Sequence, residues 1–102
     1  MTQFDFGTGP VPAHQHPNGG GWVADSAYVA DTAYVGPNAW VYGNARVLGD
    51  AQVFGYARVS GNAWVLGDAQ VFDNAQVSGN AQVFDDARVS GDARVSGDTV
   101  MT

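Results

Sequence analysis

Two histidines, His14 and His16, are the residues whose type and spacing most directly suggest chemistry. They lie in the stretch PVPAHQHPNGGGW, and the chain holds no other histidine and no cysteine. Alternate residues of an extended segment project to one side, so both imidazoles are expected to face one target. Three copies around a threefold axis would supply the six ligands of an octahedral transition metal. The pair is therefore a candidate metal site at a trimer axis, and the alternative is two loop histidines that hydrogen-bond nearby turns.

A series of carboxylates is the second candidate. It recurs every 18 residues at Asp50, Asp68 and Asp86. Clustered carboxylates suit calcium, whereas an aspartate in a turn commonly hydrogen-bonds its own turn backbone and stays solvated. Both interpretations remain open. A parallel series of amides, for which a structural ladder is expected, lies at Asn44, Asn62 and Asn80.

The composition limits the classes of fold and partner. A chain of 102 residues makes one domain at most, and its net charge of -6 disfavours binding to nucleic acid. The chain is rich in Gly, Asn, Asp and Val and poor in the common helix formers. This composition indicates an all-β chain. No apolar run approaches the ~18 residues that would span a membrane. The stretch MTQFDFGTGPVP lacks the basic and apolar regions of a secretory signal, so a cytoplasmic or virion-associated location is expected.

The elements that must position these residues follow from an internal repeat. Valine recurs every six residues from Val23 to Val95, and Met101 takes the next position. From Ala27 to Ala93 an alanine stands two residues before the next valine, and a turn pair such as Gly-Asn or Gly-Asp separates the phrases. Alanine and valine point to the same side of a strand, and the turn pair accepts positive φ. Each phrase therefore predicts one very short strand and one sharp turn.

The larger period is 18 residues. Residues 47–64, VLGDAQVFGYARVSGNAW, match residues 65–82, VLGDAQVFDNAQVSGNAQ, at fourteen of eighteen positions. This predicts a triangular coil of three phrases, with successive coils stacked as parallel strands about 4.8 Å apart. A meander of hairpins is the alternative, and it is disfavoured because strands of three or four residues make poor antiparallel ladders.

These phrases resemble the hexapeptide-repeat superfamily, whose members form left-handed parallel β-helices. The resemblance covers residues 21–102 and implies an all-β, three-sided solenoid of about 4.5 coils. Residues 1–20 lie outside it. Their prolines and glycines predict an irregular N-terminal cap, for which Phe4, Phe6, Val11 and Trp22 supply apolar surface.

Stacking by 18 residues sorts the outward side chains onto three faces. The first face flanks Val29, Val47, Val65 and Val83, and it is the most apolar. Its predicted interface residues are Tyr28, Leu48, Trp64, Leu66 and Phe84, with Val100 and Thr102 beyond them. The second face carries a smaller apolar stripe of Phe54 and Phe72. The third face, which flanks Val23, Val41, Val59, Val77 and Val95, is aromatic at its start and polar later. Contiguous exposed apolar residues usually mark an interface, and the alternative is that they only strengthen packing between coils.

The resemblance also implies candidate activities. Hexapeptide-repeat acyltransferases use a histidine as general base, and γ-class carbonic anhydrases bind zinc with three histidines. Residues 21–102 contain no histidine, lysine or cysteine and no long loop between the phrases. The chain is therefore predicted not to be an enzyme. A metal-binding, anhydrase-like or acyltransferase-like protein remains the alternative.

The predicted function is a rigid structural or assembly protein. Members of the superfamily are commonly trimers, so the expected partner is the chain itself, as a homotrimer or as an end-to-end stack. Simple proteins of this kind are often encoded by phages, which suggests a virion component such as a decoration, spike or fibre module. The His-x-His pair resembles that of trimeric phage membrane-piercing spikes, which hold an iron ion in this way. A transition metal at His14 and His16 is the one cofactor considered, and neither nucleic acid nor a membrane is an expected partner.

Overall fold

The computed structural model describes residues 2–7 and 9–101, and these residues form strands and turns. The strands are β1 (Gln3–Asp5), β2 (Pro10–Gln15), β3 (Trp22–Ala24), β4 (Tyr28–Val29), β5 (Tyr34–Val35), β6 (Trp40–Val41), β7 (Arg46–Val47), β8 (Gln52–Val53), β9 (Arg58–Val59), β10 (Trp64–Val65), β11 (Gln70–Val71), β12 (Gln76–Val77), β13 (Gln82–Val83), β14 (Arg88–Val89), β15 (Arg94–Val95) and β16 (Val100–Met101). From β4 onward each six-residue phrase supplies one two-residue strand, as predicted. Within the described ranges, no helix is long and apolar enough to cross a membrane.

The strands after β2 stack into three parallel sheets, one for each predicted face. The first face is the sheet β4-β7-β10-β13-β16, the second is β5-β8-β11-β14, and the third is β3-β6-β9-β12-β15. Neighbouring strands pair residues 18 apart, as Val65 does with Val47 and with Val83. The parallel direction and the register confirm the three-sided β-solenoid and contradict a meander of hairpins from β3 onward.

Backbone hydrogen bonds join the coils at the faces and around the corners. On the first face, Arg46 N donates to Ala63 O at 2.9 Å and Leu48 N donates to Val65 O at 2.9 Å. At a corner, Asn62 N donates to Gly79 O at 2.8 Å. The turns thus extend the ladder beyond the two residues of each strand, which explains how such short strands are held.

The core is the column of repeat alanines and valines inside the coils. From Ala33 to Val83 every repeat alanine and valine is fully buried. Burial falls at the two edges of the first sheet, where Val29 and Met101 are only half-buried, and Ala93 near the C-terminal end is exposed. Each interior coil therefore depends on the coils above and below it for its burial, as in other solenoids.

The corners require residues that adopt positive φ. Gly61 has φ +64°, and a Cβ on it would lie 2.9 Å from Gly79 N in the next coil. Asp73 and Asp85 adopt φ 59° and 57° at equivalent corners. Glycine is favoured here for its backbone conformation and for the close approach of consecutive corners.

The N-terminal segment differs from the expectation of an irregular cap for residues 1–20. β1 and β2 pair antiparallel, and β2 pairs antiparallel with β3 at the N-terminal edge of the third sheet. We call β1 and β2 with their connection the N-terminal hairpin. Pro10 and Pro12, which lack an N–H, occupy alternate positions of β2, so both fall on the same side of the strand. Ala13 keeps its N–H, which donates to Thr2 O at 3.0 Å. Pro12 still contributes its carbonyl, which accepts from Asp25 N at 2.9 Å.

The residues after the hairpin cover the N-terminal edge of the second sheet. Gly21 N donates to Val35 O at 3.0 Å, and Val35 N donates to Asn18 O at 3.1 Å. Gly19 passes so close to this edge that a Cβ on it would lie 2.2 Å from Val35 O. The glycines therefore allow a close crossing below the first coils, and they do not prevent ordered structure.

Candidate functional site

The first face brings the predicted interface residues into one column. Strand pairing places Tyr28 beside Arg46, Arg46 beside Trp64, and Trp64 beside Gln82. On the other side of each core valine, three apolar residues follow one another up the coils: Leu48, Leu66 and Phe84. Each of these three is half-buried within the single chain. The surface they form is therefore apolar and continuous, with part of each side chain left accessible.

More exposed aromatic side chains border this column. Tyr28 is 58% exposed and Trp64 is 39% exposed, while Val100 at the far end is 57% exposed. The Arg46 guanidinium lies 5.9 Å from the centre of the Trp64 ring, in a cation–π arrangement. Thr102, also predicted on this face, lies outside the described residues. The structure thus places every described member of the predicted set on one face.

The second face carries the predicted phenylalanine stripe. The rings of Phe54 and Phe72 are stacked with centroids 5.0 Å apart and an interplanar angle of 3°. Both side chains are half-buried. This contact between coils is the packing role that was the alternative to an interface. The stripe spans two coils, whereas the apolar column of the first face spans three.

The aromatic start of the third face is covered by the chain itself. The Phe4 ring stacks on Trp22 at 4.7 Å, and the Phe6 ring stacks on Tyr42 at 4.9 Å. Both phenylalanines also contact Trp40 edge to face. The N-terminal hairpin therefore folds over the outside of the third face and forms a second, smaller core there.

The two histidines do not face one target. His16 is 3% exposed, and its Nε2 lies 2.8 Å from the Ala33 carbonyl oxygen. His14 is exposed, and its Nδ1 lies 2.7 Å from an Asp25 carboxylate oxygen. The expectation of two parallel imidazoles is wrong because β2 ends at Gln15, so alternation no longer governs His16. Within a single chain, only His14 is accessible to a ligand from outside.

The aspartate and asparagine series lie at exposed corners. Asp50, Asp68 and Asp86 are exposed. Across the residues with a described position, no group of three or more histidine, cysteine or acidic side chains is arranged to hold a metal ion. The amide ladder forms in part: the side chain of Asn62 donates to Asn80 at 3.4 Å, and Asn80 donates to Asp98 at 3.3 Å.

One feature of the third face was not predicted from the sequence. The Arg58 guanidinium lies 4.4 Å from the centre of the Trp40 ring, and both residues line a groove with the exposed Tyr56. The sequence does contain a signal for this groove: Tyr56 occupies a corner position that is Asn or Asp in every other phrase from Asn38 to Asp98. This departure from the repeat at Tyr56 marks the position of the groove.

These features define the class of protein as a β-solenoid built from short repeats, with an apolar outer face and an aromatic second core. A family model described as the YdcK β-solenoid repeat matches residues 39–55, 51–67, 69–85, 81–97 and 87–102. The chain belongs to this family. The comparisons with curated proteins and with solved structures found no match.

Proposed function

We propose that this chain is a non-enzymatic assembly module, a rigid solenoid that forms a homotrimer through its first face. The observation that carries the proposal is the column of Leu48, Leu66 and Phe84, bordered by the exposed rings of Tyr28 and Trp64. Leaving such a column in water costs free energy, which burial against a second copy recovers. Three copies related by a threefold axis would each use the same face.

The distribution of charge supports association through a strand face. Nine of the ten acidic residues lie in the turns of the solenoid, and the tenth, Asp5, lies in β1 of the N-terminal hairpin. The outward strand positions of the first face carry one charge, the guanidinium of Arg46. The carboxylates therefore border the first face at its corners and are absent from its outward strand positions, so their repulsion acts at the rim of the contact, where salt screens it.

The area of the first face, and the contacts that already occupy the other two faces, favour the first face as the interface. The chain measures 37 × 25 × 20 Å, so one flank is comparable to the ~800 Å² that each partner buries in a standard interface. The second face offers two stacked rings, and the third is occupied by the N-terminal hairpin at its start and is polar beyond it. An end-to-end stack is the alternative geometry, and it would leave the first face accessible.

The non-enzymatic part of the proposal is supported by the side chains of residues 21–102. They include no histidine, lysine or cysteine, the residues that serve most often as general bases, amine nucleophiles and thiolate ligands. The resemblance to simple phage-type hexapeptide-repeat proteins supports a virion as the setting, with the rod acting as a decoration, spike or fibre module. A fixed shape with one adhesive face suits such a role.

A matched pair of variants tests the proposed face. Leu66→Asp places a charge in the column of the first face, and Ser78→Asp places the same charge on the third face, where the side chain is also half-buried and also follows a core valine. We expect Leu66→Asp to sediment as a monomer and Ser78→Asp to sediment like the parent trimer. If both variants assemble like the parent, the first face is not the interface.

A further inference from the structure

A groove of about 330 Å³ lies at the start of the third face, beside the corner that joins it to the second. Its walls include Phe4, Trp22, Asn38, Trp40, Tyr56 and Arg58. We propose that this groove binds a carboxylate carried on a single ring, as in a sugar acid or a small aromatic acid. The groove is separate from the first face, so this proposal goes beyond the assembly role and is tested independently of it.

Tyr56 is the strongest sign that the groove has a role of its own. Its side chain is 64% exposed, more than any other large apolar or aromatic side chain described. Its backbone is that of an ordinary corner: Gly55 before it has φ +65°, and Tyr56 N donates to Asp73 O at 2.8 Å. The turn therefore gains nothing from an aromatic residue in place of Asn or Asp. An exposed phenol ring is what a stacking ligand requires.

Arg58 supplies a positive charge that forms no salt bridge within the described part of the chain. Its guanidinium carbon lies over the Trp40 ring, 4.4 Å from the ring centre, in a cation–π arrangement. Among the described residues, no carboxylate lies within 4.0 Å of this guanidinium, although the chain has ten acidic side chains. A stacked guanidinium keeps the N–H donors at its edge free, and they match a carboxylate in a bidentate pair.

The walls of the groove are already in place without a ligand. Phe4 stacks on Trp22 with an interplanar angle of 16° and meets Trp40 edge to face at 5.3 Å. Trp22 and Trp40 are paired in the same register of the third sheet. A preformed aromatic wall costs little ordering entropy on binding.

These groups together define the chemistry of the ligand. The exposed Tyr56 ring stacks on the apolar face of the ligand ring, and the Arg58 fork pairs with its carboxylate. The Asn38 amide has donors and an acceptor for ring hydroxyls. Pockets of this kind combine apolar walls with a few polar groups that fix orientation. The size of the groove suits one ring, so the unit recognised is a single sugar acid or a small aromatic acid.

The test follows the three tryptophan indole N–H signals by NMR while glucuronate, glucose or benzoate is added to the full chain. Trp22 and Trp40 line the groove, and Trp64 lies on the first face as an internal control. We expect saturable shifts of Trp22 and Trp40, none of Trp64, and much weaker binding of glucose than of glucuronate. Tighter binding of glucuronate assigns the source as a sugar acid, and tighter binding of benzoate assigns it as an aromatic acid.

Three variants complete the experiment. Tyr56→Asn restores the residue type found at the equivalent corners, so it should fold normally and weaken binding about tenfold. Arg58→Gln should remove the preference for the acid over glucose. Arg46→Gln, which alters the other cation–π pair at Trp64, should change nothing. The proposal is overturned if neither acid gives a saturable shift, if glucose binds as well as the acids, or if Tyr56→Asn and Arg58→Gln bind like the parent.

Discussion

His16 and His14 are two residues apart, yet they occupy opposite environments. The Ala33 carbonyl lies at the N-terminal edge of the second sheet, where no further parallel strand supplies a donor. His16 Nε2 donates to it at 2.8 Å, and Asn18 Nδ2 donates to it at 3.1 Å. A carbonyl oxygen only accepts, so Nε2 of His16 carries the proton. Side chains thus complete the edge that the backbone leaves open.

This placement predicts that His16 stabilises the fold and His14 does not. His16→Ala leaves a buried acceptor with one donor fewer, and we expect it to lower the free energy of unfolding by about 1–3 kcal/mol. His14→Ala removes only an exposed contact with Asp25, and we expect it to cost about 0–1 kcal/mol. Urea denaturation followed by circular dichroism measures both. The metal hypothesis requires instead that the parent protein carries a transition metal that both variants lose.

Two corner glycines separate backbone strain from crowding. Gly61 and Gly91 share a φ of +64°, but a Cβ on Gly61 would lie 2.9 Å from Gly79 N, whereas a Cβ on Gly91 has nothing within 4 Å. We expect Gly91→Ala to cost about 1 kcal/mol, from the left-handed backbone alone. Gly61→Ala should cost at least about 1 kcal/mol more. Equal losses in thermal denaturation would show that the corners do not approach as closely as described.

At the scale of elements, the coils could be predicted because every phrase carries the same local signals. Val47, Val65 and Val83 repeat at the interval at which their strands pair, so one periodicity fixes strand, turn and register together. The N-terminal hairpin carries no such repetition. From local sequence, Pro10 and Pro12 are expected to interrupt a strand. Pairing with β1 and with β3 holds β2 in place.

The candidate sites show the same division. The outward position of Leu66 follows directly from its place in the repeat. The cover of the third face by Phe4 and Phe6 joins residues far apart in sequence, and no periodicity predicts it. The burial of His16 depends on where the segment after β2 crosses the second sheet, which is a tertiary contact.

The N-terminal hairpin is predicted to unfold independently of the coils when its second core is weakened. Phe6 is buried against Trp40 and Tyr42, so Phe6→Ala removes one of the two rings that pack the hairpin on the third face. In hydrogen exchange we expect the amides of β1 and β2 to lose protection while β9 to β12 keep theirs. Gln3→Ala, an exposed change on the same strand, should leave both regions protected. Loss of protection throughout the chain would mean that the hairpin and the coils form one cooperative unit.

At the scale of the whole molecule, the three faces have different occupants. The third face is covered at its start by the N-terminal hairpin, and the second face packs two rings on each other. The first face retains an apolar column with exposed rings beside it. The core of this solenoid is one valine wide, so a single chain buries little apolar surface for its length. Association through a face buries more. The homotrimer is the assembly that we propose on this basis.

Sedimentation equilibrium of the unmodified chain over a range of concentrations tests this proposal most directly. We expect a single species with a mass about three times the 10.6 kDa of one chain, unchanged on dilution through the micromolar range. A mass of one chain at every concentration would contradict the adhesive first face, and a mass that grows steadily with concentration would indicate an end-to-end stack in place of the trimer.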